Sequence, residues 1–165
     1  MAFDAFIKID GIDGESTDDK HAGWIEVLSC DAKVSQQVSH TASSSGGASA
    51  EKADFSDFRF TKQMDKASPK LAMFCAAGSH LDSVLLEFCR SGTEKVTFMQ
   101  YKMTNCMISE VAMVAGAAAG TELPTEEVCI NFGKIEWCYT VQKRQGGGPA
   151  GNVAGGWDRQ KNCKV

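Results

Sequence analysis

The stretch Trp24-Ile25-Glu26-Val27-Leu28-Ser29-Cys30-Asp31-Ala32-Lys33-Val34-Ser35-Gln36-Gln37-Val38-Ser39-His40 decides the fold class. Cys30, Ala32, Val34 and Val38 fall on one side of an extended chain, and Ser29, Asp31, Lys33, Ser35, Gln37 and Ser39 on the other. A period of two predicts a β-strand with one dry and one wet face. The run is longer than an ordinary strand, which predicts a bend or bulge within it.

Working outward, strand-like runs recur. Phe3 to Ile9 reads as a strand ended by the turn pairs Asp10-Gly11 and Asp13-Gly14, with an acidic, solvated loop over 10–22. Ala53 to Thr61 reads as a strand, and the phase change between Phe55 and Phe58 predicts a bulge or twist. Ser83 to Arg90 and Glu94 to Thr104 read as a hairpin around Ser91-Gly92. Met107 to Val114 and Val128 to Val141 follow, the second with a phase flip at Gly133 that suggests a bulge. Helical spacing appears once: Leu71, Phe74 and Cys75 form a stripe, with Ser68 as N-cap, Pro69 at the first helical position and Gly78 as the stop. The pattern predicts one mainly β domain over 1–165, an antiparallel barrel or sandwich of about seven or eight strands with one helix. Residues 41–52 are Ser/Gly/Ala-rich and read as an extended flexible loop, and 143–165 read as a glycine-rich tail. Trp24, Trp137 and Trp157 read as core or seam anchors, Trp157 pinning that tail.

Composition narrows the function. The hydrophobic fraction is 43%, the charged fraction 23% and the formal net charge −4. No basic run supplies the clustered Lys and Arg that nucleic acid requires, so none is expected as a partner. The most apolar stretch, Val111 to Ala119, falls short of the ~20 residues that cross a bilayer. Met1-Ala2-Phe3-Asp4 lacks a charged segment followed by an apolar one, so a cytoplasmic protein without a cleavable signal is expected. The seven cysteines are odd in number, form no C-x-x-C and sit mostly in apolar runs, which predicts reduced thiols.

Motifs for chemistry fail on inspection. Gly146-Gly147-Gly148-Pro149-Ala150-Gly151 spells G-x-G-x-x-G, but Pro149 interrupts it and no helix follows, so a flexible linker is the better reading. An EF-hand started at Asp10 would need oxygen ligands at Ile12 and Gly14. His21, His40 and His80 have no second His or Cys at metal spacing, so no metal or cofactor is expected. A reactive Cys/His pair would have to meet in space.

Three segments carry a resemblance. Met1-Ala2-Phe3-Asp4-Ala5-Phe6-Ile7-Lys8-Ile9, then Gly14-Glu15-Ser16 and His21, come first. Phe58-Arg59-Phe60-Thr61-Lys62 with Asp65-Lys66-Ala67-Ser68-Pro69 comes next, and Gly156-Trp157-Asp158-Arg159-Gln160-Lys161-Asn162 closes the chain. In order and spread, these resemble the haemolysin-coregulated protein (Hcp) family of type VI secretion. Ser29-Cys30-Asp31-Ala32 departs from the family, whose members often place Trp or Gly after the second strand. The resemblance implies a β-barrel with a flanking helix and no catalysis. Six copies would close into a ring, and rings would stack into an inner tube that meets sheath and spike proteins. The lumen would hold effector cargo, and the protein would leave the cell with the machine. On this reading Ser29, Asp31, Lys33, Ser35 and Gln37 line the lumen. Ser43, Ser44, Ser45, Gly46, Gly47, Ala48 and Ser49 form a loop that meets the next ring. A phage tail-tube subunit shares this logic. A monomeric small-ligand barrel and a thiol enzyme are the alternatives of other classes.

Overall fold

The computed structural model describes residues 3–38, 52–91, 95–115, 123–143, 145–146 and 148–165. In chain order the elements are β1 (Phe3–Ile9), β2 (Ile25–Val27), β3 (Ser29–Asp31), β4 (Val34–Ser35), β5 (Asp54–Phe55), β6 (Phe58–Gln63), α1 (Ser68–Ala77), β7 (His80–Arg90), β8 (Val96–Val114), β9 (Thr125–Gln142), β10 (Pro149–Asp158) and β11 (Cys163–Lys164). Every ladder is antiparallel. The main sheet runs β11-β10-β9-β8-β7-β1-β2, and β6 pairs with both β9 and β3.

The deciding stretch is not one strand. It breaks into three short ones that pair with three different partners: Ile25 opposite Ile7 on β1, Cys30 opposite Phe60 on β6, and Val34 opposite Phe55 on β5. The change of partner occurs at Leu28, whose N–H donates to Thr61 O at 2.8 Å. Because β6 in turn pairs with β9, the sheet curls until one run of chain joins its first strand to β6 and so closes the barrel. The predicted dry face is correspondingly incomplete: Cys30 is half-buried, whereas Val34 and Val38 are 54% and 51% exposed.

The phase change after Phe55 has the same origin. β5 belongs to a small hairpin with β4, and β6 to the barrel. Between them Ser56 holds Lys33 through two backbone contacts, Lys33 N–H to Ser56 Oγ at 2.9 Å and Ser56 N–H to Lys33 O at 3.0 Å.

The two strands expected over 94–114 are a single strand of 19 residues, β8. Its buried pattern shifts between Met103 and Cys106, as it does between Leu81 and Val84 on β7 and between Phe132 and Ile135 on β9. The three shifts line up across the sheet, since Leu81 faces Cys106 and Cys106 faces Phe132. The flip predicted at Gly133 is therefore real, but its cause is not a bulge there. The β8–β9 register is unbroken from Thr104↔Lys134 to Cys106↔Phe132, and the register shift lies between Ile108 and Glu110. The kink comes from Asn105, which adopts φ 55° in the left-handed region that Asn tolerates. A Cβ on Gly133 would sit 3.0 Å from Asn105 Nδ2, so a glycine there lets the kink close.

The helix lies where predicted, but its N-cap is Ala67 and not Ser68. Ser68 is the first helical residue, and its Oγ accepts from Asp65 N–H at 3.1 Å. Gly78 ends the helix at φ 60°, the conformation for which glycine pays no Cβ penalty. The glycine-rich tail carries β10, which pairs with β9 from Gln142 to Lys134. The core gathers Ile7, Ile25, Phe60, Leu71, Leu86, Met103 and Ile130, all fully buried, with Trp137 and Trp157 packed against it. All seven cysteines are free thiols, and burial pushes the Cys106 thiol up to about 12.

Gly14 and Gly155 give a contrast of opposite sign. A Cβ on Gly14 would lie 2.4 Å from Trp24 O and 2.7 Å from Ile25 Cα, both backbone atoms. A Cβ on Gly155 meets nothing within 4 Å. Gly14→Ala should cost at least ~1–3 kcal/mol in guanidinium unfolding, and Gly155→Ala should be neutral or slightly stabilising. Equal midpoints for the two variants would refute the close packing of the 14–24 loop.

Candidate functional site

The predicted solvated loop after β1 folds back onto the barrel, where Ser16 and His21 are buried. His21 is 1% exposed, stacks on Phe6 at 4.4 Å and meets the edge of Trp24 at 4.8 Å. Its Nδ1 lies 2.8 Å from Asp18 Oδ1 and its Nε2 2.7 Å from Glu87 Oε2. Thr97 Oγ1 and Gln100 Nε2 donate to the two oxygens of Glu87 at 3.1 and 2.6 Å. Lys95 bridges Asp18 and Asp4, with its ammonium over the Phe6 ring. The hydrogen bond from Lys95, joined by that from His21, lowers the Asp18 carboxyl to about 2.

A second ionic cluster starts the helix. Lys62 on β6 is fully buried, and its ammonium donates to Glu126 Oε2 at 2.8 Å, Gln63 O at 2.9 Å and Ser68 Oγ at 3.1 Å, with Asp65 Oδ1 at 2.9 Å. Ser68 Oγ donates in turn to Glu126 Oε2 at 2.7 Å, and Ala67 N–H donates to Asp65 Oδ1 at 2.9 Å. A buried cation needs this density of oxygens to offset the water it has lost. At the C-terminal end, Arg159 Nη1 donates to Phe132 O at 2.7 Å with its guanidinium over Phe132 and Phe55. Asn162 takes φ 53° in the turn before β11.

The predicted lumen residues divide. Ser29 and Asp31 are exposed on β3 and pair with Thr61 and Arg59 on β6. Ser29 Oγ and Thr61 Oγ1 are 2.6 Å apart. Lys33 is exposed between strands, Ser35 is half-buried on β4, and Gln37 is exposed beyond it. The rows through Ser29 and Asp31 continue across the barrel: Thr61 faces Glu127, Arg59 faces Cys129, and Arg59 Nε lies 3.4 Å from Glu127 Oε1. Asp57 extends this wall by accepting from Ser109 and Asn131 at 2.6 and 2.7 Å. Sequence reading missed Asp57, Arg59, Thr61 and Glu127 because they lie on β6, on β9 and between β5 and β6, away from the stretch with visible alternation. Residues 39–51, and with them the predicted Ser43 to Ser49 loop, lie outside the described residues.

The molecule is thus a small antiparallel β-barrel braced by buried ionic clusters, with a mixed-sign polar wall on its outside. The profile of the family "Type VI secretion system effector, Hcp" matches residues 6–139. Protein hcp1 of Pseudomonas aeruginosa is 35% identical over 166 residues, covering 100% of both chains. A solved structure of a type six secretion system protein superposes with a TM-score of 0.92 at 35% identity, covering 99% of this chain and 100% of that one. Hcp1 from Salmonella typhimurium superposes with a TM-score of 0.80 at 33% identity over 100% of both. The chain belongs to the Hcp family of type VI secretion proteins, a structural secretion-system family and not a known enzyme family. No described helix is long and apolar enough to cross a membrane.

The Lys62 cluster makes a sharp prediction. Lys62→Met leaves Glu126 and Asp65 without their cation and should cost ~3–5 kcal/mol. Adding Glu126→Leu to it should recover part of that loss, because it removes the more deeply buried of the two carboxylates left without a cation. A single variant whose denaturation midpoint matches the parent's would show that the cluster does not brace the barrel.

Proposed function

We propose that this chain is the ring-forming subunit of a type VI secretion inner tube and that its ring carries effector cargo. The polar wall carries this reading. Ser29, Asp31, Arg59, Thr61 and Glu127 form a wet, charge-mixed surface on strands that fold as part of the barrel. Such a wall holds varied cargo without an adhesive patch or a strong field of one sign. Lys33, Ser35 and Gln37 extend it toward the rim.

A closed ring needs two different patches that fit each other. Leu28, Val34 and Val38 stand 55%, 54% and 51% exposed beside the seam. Val153, Tyr139 and Val141 stand 65%, 39% and 40% exposed on β10 and β9, toward the opposite end of the strand order. We extend the reading, on the family resemblance, to a six-membered closure, a stacking role for Ser43 to Ser49, and contacts with sheath and spike proteins. The reading extends likewise to a path from the cytoplasm to the outside with the secretion machine. A phage tail-tube subunit is the second reading, and the type VI family match favours the first.

Light scattering after size exclusion, with negative-stain microscopy, should show annular particles; single chains at high concentration would overturn the proposal. Asp31→Trp should leave the annuli intact and reduce co-purified effector, and loss of the annuli would place Asp31 at a subunit contact instead. Deleting 43–50 should shorten stacks of rings, and stacks of unchanged length would remove the loop from that role.

A further inference from the structure

The polar wall makes no use of the one group of ligand-type side chains that the described residues bring together indoors. His21 Nε2, Glu87 Oε2 and Cys89 Sγ lie within 4.8 Å of one another. Nε2 is 2.7 Å from Oε2 and 3.8 Å from Sγ. His21 comes from the loop after β1, whereas Glu87 and Cys89 sit two apart on β7 and face the same way. Each is held by a second partner. Asp18 Oδ1 fixes His21 Nδ1 at 2.8 Å, Gln100 donates to the other Glu87 oxygen at 2.6 Å, and Thr97 Oγ1 stands 3.4 Å from Cys89 Sγ. A carboxylate on the far nitrogen of an imidazole is the arrangement that orients a metal-binding histidine.

We propose that this cluster is a zinc site, with His21 Nε2, one Glu87 oxygen and the Cys89 thiolate as ligands and a water or the Thr97 hydroxyl as the fourth. Imidazole with thiolate favours zinc over the hard cations magnesium and calcium. Tetrahedral zinc bonds of ~2.0–2.3 Å set nitrogen and sulfur roughly 3.6 Å apart and nitrogen and oxygen roughly 3.3 Å apart. The nitrogen–sulfur spacing is already close to this, and a small swing of the Glu87 carboxylate opens the other. On binding, the Cys89 S–H bond breaks, an S–Zn bond forms and the proton leaves to water, as does any proton held between Nε2 and Oε2. The Zn²⁺ charge is then balanced by Glu87 and Cys89. A pocket of about 370 Å³ lies beside the cluster, lined among others by Phe6, which stacks on His21, and by Asp18, which bonds it. The metal would fasten the 16–24 loop to β7.

Cobalt titration of the reduced full-length chain tests the site. One equivalent should bind per chain, giving the visible bands of tetrahedral Co²⁺ and a near-ultraviolet thiolate charge-transfer band, both abolished by zinc. Cys89→Ser should lose the charge-transfer band. Cys163→Ser, which removes the exposed thiol, should keep it. Asp18→Asn should keep the spectrum and weaken binding ~10–100-fold, as loss of an orienting partner does. If a variant fails to fold by circular dichroism, the parent titration decides alone. No stoichiometric cobalt spectrum, a charge-transfer band that survives Cys89→Ser, or one that vanishes with Cys163→Ser would overturn the proposal.

Discussion

A β-sheet that curls must dispose of its two edges, and this chain does so with a single run of residues. Ile25–Val27 completes the ladder on β1, and two residues later Ser29–Asp31 takes up the ladder on β6. The chain itself spans the seam, so no edge-to-edge hydrogen bonding is needed there beyond the Leu28 contact with Thr61. Joining the seam protects these two edges, which are otherwise sites of unwanted pairing, while β11 still ends the strand order on the other side. It also fixes which side chains look outward, and the polar wall exists only because β3 lies against β6.

Both ionic clusters brace strands beside that seam. Lys62 projects from β6 and is held by Glu126 on β9 and by the helix start at Ser68. His21 stacks on Phe6 of β1 and bonds Glu87 of β7. A buried ion pair is a poor source of net stability but a strong constraint on geometry, because a slight misplacement leaves a charge without water or partner. Placed on either side of a seam that few hydrogen bonds hold, such constraints fix the register of strands that a hydrophobic core would let slide.

The sequence shows the class of fold clearly and its joints poorly. Period-two patterning marks β6 and both halves of β9, since alternation survives wherever a strand keeps one face to the core, whereas β1 shows only as a short apolar run buried on both faces. It misleads over Trp24 to His40, where unbroken alternation spans three strands with three partners. Alternation records only which way a side chain points, not which strand lies alongside. At Gly133 the phase flip is legible, but its cause is not: Asn105 stands on the neighbouring strand, far away in sequence. The His21 cluster was hidden for the same reason. Glu87 and Cys89 lie more than sixty residues from the histidine, so metal spacing rules had nothing to read.

The residues that carry the family resemblance are, in the structure, the ones that hold the barrel together. Gly14 admits the close backbone of Trp24, Ser16 and His21 anchor the loop, and Lys62, Asp65 and Ser68 start the helix. Trp157, Arg159 and Asn162 fasten the last strand. Arg59 and Thr61, which precede Lys62 in the same segment, are on the polar wall, whereas these clamps are not. Ser29 and Asp31 face outward with little packing around them, so the fold leaves their identity open. The clamps are fixed by packing and hydrogen bonding, whereas the exposed side chains of β3 are not.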